Sequence, residues 1–133
     1  MARLAASIFA AHGRPGMYVN VGVGLPEEVC RLSLQGGLTR EITLFTESGV
    51  EGGLPAPGIF FGAAISPERM VSSSQVFHNC YRRLDAAILG ILEADREGNV
   101  NVSKRGEGAI NYVGPGGFVD LTCTAKMVVF VGA

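Results

Sequence analysis

Charge is scarce in this sequence, and its two signs nearly cancel. Eleven Lys and Arg stand against twelve Asp and Glu in 133 residues, a formal net charge of −1. Without a basic footprint, nucleic acid and anionic membrane surfaces are poor partners. Cysteine is thin as well. Cys30, Cys80 and Cys123 are widely separated, with no CxxC and no Cys/His ligand spacing. That pattern argues against a zinc site, and no metal is expected. Three buried, reduced thiols in a cytoplasmic protein are the plain reading. Long apolar runs are missing too. The longest uncharged stretch, "GGLPAPGIFFGAAISP" (52–67), is interrupted by proline and glycine and cannot make a spanning helix. The opening "MARLAASIFAAHGRPG" lacks the apolar core of a secretory signal and reads better as a first helix. Internal repeats and low-complexity linkers are absent.

What is present is apolar residues and glycine. The chain is 47% hydrophobic and 17% charged, the balance of a globular protein, and its length suits one domain spanning residues 1–133. Nineteen glycines, roughly twice average usage, cluster in loops without a fixed period. Residues 2–12 place Leu4, Ile8 and Ala11 on one helical face, ending at Gly13 and Pro15. "MYVNVGV" (17–23) reads as a buried strand. A glycine turn then leads into the helix "PEEVCRLSLQ", with Pro26 in its first turn and Gly36-Gly37 as its stop. "EITLFT" (41–46) is the next strand, so a βαβ unit opens the chain. An open, mainly parallel α/β sheet covered by helices follows from it. Residues 48–75 read mostly as loop, and a short helix is expected near 76–83. "LDAAILGILEAD" (84–95) is long enough for a helix, but "DREGN" and the alternating "VNVSK" favour a buried strand running into a hairpin turn. "GPGGF" makes a second tight glycine loop before a last strand, "KMVVFVGA".

Three stretches carry possible chemistry. "GVGLPEE" is similar to a dinucleotide fingerprint, yet Glu27 stands at the third glycine position. Glu27 and Glu28 also occupy the positive helix end that a pyrophosphate would need. The alternatives left are a structural turn and a turn that presents backbone amides, that of Val23 among them. In "TESG", Glu47 falls where a strand ends, the place where ligands of open α/β sheets collect. It is a solvated loop glutamate, or a nucleophile or base made accessible by the slim Ser48-Gly49 backbone. Glu51, inside the loop, is the local competitor. In "YVGPGGFVD", Gly114, Gly116 and Gly117 form either a plain turn or amides suited to an oxyanion. His12 and His78 have no nucleophile partner and read as structural or surface residues. Tyr81-Arg82-Arg83 could meet a phosphate but reads better as a solvated helix face.

Taken in order, "NVGVGLPEEV", "TESGVEGG", "GNVNVSK" and "GPGGFVDLT" resemble the family I CoA-transferases, specifically the β half of the acetate/3-ketoacid type, from about Met17 to the end of the chain. The pairing of Glu-x-Gly with Gly-x-Gly-Gly-Phe at long spacing gives the resemblance its specificity. It implies ping-pong transfer of coenzyme A between an acyl-CoA and a short carboxylic acid, through a glutamyl-CoA thioester on Glu47. Coenzyme A would be a substrate, with no permanently bound cofactor. The resemblance puts the oxyanion amides on Val23 and on Gly116 or Gly117. It puts CoA contacts on Gly22, Gly24, Gly49, Gly116, Gly117 and Phe118. The family's β half continues beyond the strand matched by "KMVVFVGA" and works with an α half. A partial domain, an α-half partner and an oligomer are therefore expected. A sugar-phosphate isomerase of related fold and a non-catalytic partial subunit remain as rivals.

Overall fold

Strand β1 (Tyr18–Val21) is buried along its whole length, and the sheet grows outward from it on both sides. The computed structural model describes residues 1–37, 41–107 and 112–132. Its main sheet has the order β10-β7-β1-β2-β3-β6, where β2 is Thr43–Phe45, β3 Val50–Glu51, β6 Arg69–Met70, β7 Ala86–Gly90 and β10 Met127–Val131. The first four strands in that order run parallel; beyond β2, β3 pairs antiparallel to it and β6 antiparallel to β3. The expected open, mainly parallel sheet is therefore present. Two small hairpins decorate it: β4 (Leu54–Pro55) with β5 (Ala64–Ile65), and β8 (Glu93–Ala94) with β9 (Val100–Asn101).

Each face of the sheet is closed by a helix pair, as a parallel sheet requires. On one face α1 (Ala2–His12) and α2 (Leu25–Gln35) bury Ala5, Ala6, Phe9, Val29 and Cys30 against Val19, Val21, Ile88 and Val131. On the other, α3 (Ser73–Arg83) and α4 (Phe118–Thr124) bury Val76, Cys80 and Leu121 against Tyr18, Phe45, Ala87 and Leu89. Phe9, Phe45, Leu84, Ile88 and Leu121 are almost wholly buried, and each such side chain stabilises the fold by roughly 1.5–3 kcal/mol relative to exposure.

Several expectations need correction. The inward face of α1 carries Ala5, Ala6 and Phe9, while Leu4 and Ile8 are 62% and 46% exposed and Ala11 is also outside. The helical period holds, but the buried stripe is turned by about one residue, roughly 100°. The alanines let α1 lie close against α2. Helix α3 starts at Ser73, where the Ser72 hydroxyl caps it by accepting from the Gln75 amide at 3.2 Å. Helix α4 was not foreseen; it is two turns long and buries Leu121. Cys123, two positions beyond Leu121, points away from that core and is exposed, unlike Cys30 and Cys80. The strand-and-hairpin reading of 84–95 holds: Asp95 accepts from the amides of Glu97 and Asn99 to close the turn. Ala133 lies outside the described residues.

Glu51 is the largest correction. It is a strand residue, 1% exposed. The Tyr18 hydroxyl donates to it at 2.6 Å, Asn79 Nδ2 at 3.0 Å and Arg69 Nε at 2.5 Å, and Arg83 stands 3.8 Å away. Burial pushes the Glu51 carboxyl up, but these donors outweigh burial and hold it below its ordinary value. A depressed folded pKa adds stability above the unfolded carboxylate pKa and loses it as pH falls through the folded value. Replacing Glu51 by alanine should cost about 1–3 kcal/mol, because the Tyr18 and Asn79 donors lose their buried acceptor. Thermal unfolding from pH 7 to well below about 4, through the depressed folded value, checks this. The wild-type melting temperature should fall more steeply than that of Glu51→Gln, and parallel curves would show that the carboxylate contributes nothing.

Candidate active site

The carboxyl ends of β1 and β2 lead into the two loops singled out by sequence. After β1, the Gly22 amide donates to the Ile88 carbonyl at 2.9 Å. The Gly24 amide donates to Glu27 Oε1 at 2.7 Å, and Glu27 Oε2 accepts from the Gly58 amide at 3.0 Å. Glu27 thus uses its carboxylate on the protein's own amides at the start of α2, as a pyrophosphate would otherwise do. Between two committed amides stands that of Val23, with no partner among the described residues.

After β2, Thr46 and Glu47 turn the chain. The Gly49 amide donates to the Thr46 carbonyl at 3.1 Å, and the Ser48 hydroxyl donates to the Gly62 carbonyl at 2.5 Å. Gly49 has φ +108, and a Cβ there would fall 1.9 Å from the Val71 carbonyl oxygen. Its lack of a side chain lets the loop close on Val71. The Glu47 carboxyl is left half-buried with no cation paired to it among the described residues. Burial holds its pKa above the ordinary value, opposed by a hydrogen bond to its own backbone amide and by the nearby Asn20 carboxamide. Asn20 approaches without forming a bond: it is fully buried, and neither Oδ1 nor Nδ2 has a partner within hydrogen-bond distance.

The second glycine loop comes in from α4. The Phe118 amide donates to the Pro115 carbonyl at 3.1 Å and the Leu121 amide to the Gly117 carbonyl at 3.0 Å, leaving the Gly116 and Gly117 amides without partners among the described residues. A Cβ on Gly117 would stand 2.6 Å from Phe77 Cζ and 3.6 Å from Glu47 Cγ. This loop therefore rests directly on the strand-end carboxylate.

Together the three segments enclose a cleft of about 250 Å³. Gly22, Val23, Glu47, Gly116, Gly117 and Phe118 line it, with Phe61, Leu89, Val102 and Val113 as apolar walls. Six of the eight residues expected at the site meet here. Gly24 and Gly49 do not line the cleft; they shape the turns that hold Val23 and Glu47. Phe61, Phe77 and Asn20 escaped sequence reasoning, since no local pattern marks them. His12 and His78 are exposed, and the His12 ring is 2.8 Å from the Ile8 carbonyl oxygen. Among the described residues no group of three or more His, Cys, Asp or Glu is arranged to hold a metal ion. In the Tyr81-Arg82-Arg83 run, Arg83 lies 4.2 Å over the Tyr18 ring and Tyr81 bonds Asp120, leaving Arg82 exposed.

No protein-family model matches the chain. Among curated proteins it is 38% identical over 122 residues to the caffeate CoA-transferase of Acetobacterium woodii, which covers 89% of this chain and 23% of the relative. It is 33% identical over 120 residues to the acetate CoA-transferase YdiF of Escherichia coli, covering 90% of this chain and 22% of that protein. The solved thioester complex of the Escherichia coli acyl-CoA transferase YdiF with CoA superimposes with a TM-score of 0.77 at 27% identity, over 97% of this chain and 23% of that one. Glutaconate CoA-transferase of Acidaminococcus fermentans (TM-score 0.70, 21% identity, 97% of this chain and 55% of that one) shares the fold. So does the decarboxylase AibA/AibB (0.74, 19%, 97% and 57%). The chain is thus related to the CoA-transferases and spans 22–23% of the length of those curated relatives.

The burial of Glu47 gives a direct test of the geometry. A carboxyl with a raised folded pKa costs stability as pH rises through the interval between its unfolded and folded values. Glu47→Gln should therefore melt higher than wild type at pH 7. Gly117→Val should wedge the loop off Phe77, hydrate Glu47 and lower its pKa toward the ordinary value. Gly98→Val, in the β8–β9 turn at φ +88, should cost ~1–2 kcal/mol of stability and leave Glu47 untouched. Carbon-13 carboxyl NMR titrations of the two glycine variants decide it; equal Glu47 midpoints would contradict the loop contact.

Proposed function

We propose that Glu47 is the nucleophile of a CoA-transferase and that the Val23 amide, with Gly116 or Gly117, binds the oxyanion. The observation that carries this reading is the single cleft in which an unpaired carboxylate meets uncommitted amides from two glycine loops. Glu47 attacks the acyl-CoA thioester carbonyl, and the amides receive the negative oxygen of the tetrahedral adduct. CoA thiolate leaves, and an acyl-glutamyl anhydride remains. The thiolate then attacks the glutamyl carbonyl, expelling the first acid as its carboxylate and forming a glutamyl-CoA thioester. A second carboxylate attacks that thioester, and the steps run in reverse to release the new acyl-CoA. Carboxylate is a weak nucleophile toward a thioester, so placement and oxyanion donors carry the rate. Partial desolvation favours the same end by stripping water from the Glu47 oxygens.

Coenzyme A acts as substrate, and Gly22, Gly24, Gly49, Gly116, Gly117 and Phe118 form or support the cleft that takes its thioester end. The apolar walls of Phe61, Leu89, Val102 and Val113 favour short monocarboxylic acids of the acetate and 3-ketoacid kind. Among the described lining residues no Lys, Arg or His stands ready for the phosphate that a sugar-phosphate isomerase would have to bind. An α half, as a separate subunit or joined domain, completes the enzyme, which we place in the cytoplasm as an oligomer. No helix among the described residues is long and apolar enough to cross a membrane.

The test is chemical trapping. In the complete enzyme, incubation with acyl-CoA and no acceptor should place a CoA thioester on Glu47, which borohydride reduces to an alcohol that peptide mapping can find. Glu47→Gln should abolish labelling and transfer, and Glu47→Asp should fail as well because it withdraws the carboxylate by about 1.5 Å from attack geometry. Glu51→Gln, once shown to be folded, should keep the label. A label on Glu51, or near-normal transfer by Glu47→Gln, would overturn the assignment, as would efficient acetyl transfer by the 133-residue chain alone for the requirement of an α half.

A further inference from the structure

Asn20 is an anomaly in the core. It is fully buried, and neither oxygen nor nitrogen of its carboxamide finds a partner. An unsatisfied buried amide costs about 1–3 kcal/mol, and a leucine of similar size would remove that cost at this position. Its setting explains why a polar group is there. Strand register pairs Asn20 with Phe45. Alternation along β1 and β2 puts Tyr18, Asn20 and Phe45 on the face covered by α3 and α4. Two residues past Phe45 on that same side comes Glu47, whose Cγ lies under the Gly117 loop of α4. The orphan carboxamide and the candidate nucleophile therefore share one face, at the mouth of the sheet.

We infer that Asn20 is a positioning residue for Glu47: its Nδ2–H donates to one carboxylate oxygen in the attacking conformation and leaves the other oxygen facing the thioester. Hydrogen bonds of this kind are often long in the free protein and tighten only in the substrate complex, which fits a donor held close but unbonded. The role rests on the reading of Glu47 as nucleophile, yet it predicts a property of Glu47 that needs no turnover. Donation to the charged form favours ionisation, so losing the donor drives the Glu47 carboxyl further up. The other groups near it do not blur that effect. Cys80 of α3 faces Glu47, and its thiol, pushed up to about 12 by burial, stays neutral through the titration. Glu51 of β3 is committed to Tyr18, Asn79 and Arg69, and Asp120 of α4 is bonded to Tyr81.

The experiment compares wild type, Asn20→Leu and Asn20→Asp. Carbon-13 carboxyl NMR on the 133-residue chain reads the Glu47 midpoint, and single-turnover labelling by acyl-CoA in the complete enzyme reads attack. Asn20→Leu should melt at or above the wild-type temperature and raise the Glu47 midpoint by about one pH unit. It should slow labelling at least tenfold, with the loss in kcat and little change in KM. Asn20→Asp keeps the shape if leucine does not fold, and should raise the midpoint further by like-charge repulsion. An unchanged midpoint in a folded variant overturns the inference and leaves Asn20 a plain packing defect. If the midpoint rises while wild type carries no label at Glu47, the positioning contact stands and the nucleophile assignment falls.

Discussion

The site depends on a contact that only glycine permits. Gly117 sets its bare backbone against the Phe77 ring and the Glu47 side chain, where a Cβ would sit 2.6 Å from the ring. That contact docks the start of α4 onto the end of β2, so amides carried by one element reach a carboxylate carried by another. It also covers the carboxylate from solvent, which raises its pKa. Separating loop and strand by a methyl group would undo placement and desolvation together, the two effects on which the proposed nucleophile would rely.

Two glutamates four residues apart show how far environment decides role. Glu51 is the more deeply buried, yet three donors and a nearby Arg83 keep it ionised and turn it into a fastening between β1, β3, β6 and α3. Glu47 is less buried but has no cation paired to it among the described residues, so burial dominates. Environments that push two carboxyls apart in this way separate a structural ion from a candidate for chemistry. The same logic sorts the turn after β1. Gly22 and Gly24 have committed amides, which leaves Val23 as the one donor of that turn available to a ligand.

Much of this was legible in the sequence because it is local. β-branched runs gave the parallel strands, glycine pairs and Pro26 gave the ends of α2, and the strand-end position marked Glu47. What stayed hidden depends on distant partners or weak periodicity. Nothing near Glu51 announces Tyr18, Asn79 or Arg69, so it read as a loop residue. Helix α4 has two turns and one buried residue, too short for a 3.6-residue pattern to stand out, and Cys123 was misjudged with it. In α1 the bulky Leu4 and Ile8 suggested the inward face, whereas close packing on α2 selects the alanines. Asn20 has no signature at all, since its meaning comes from being unpaired in three dimensions.

The central claim is that one cleft joins the Glu47 carboxyl to amides from both glycine loops. A crystal structure of the complete enzyme soaked with acyl-CoA tests it most directly. The account predicts continuous density from Glu47 Cδ to the CoA sulfur, with the thioester oxygen turned toward the Val23 amide and that of Gly116 or Gly117, which would hold the oxyanion of the adduct at about 2.7–3.1 Å. CoA bound covalently elsewhere, or a thioester oxygen turned away from both loops, would contradict it.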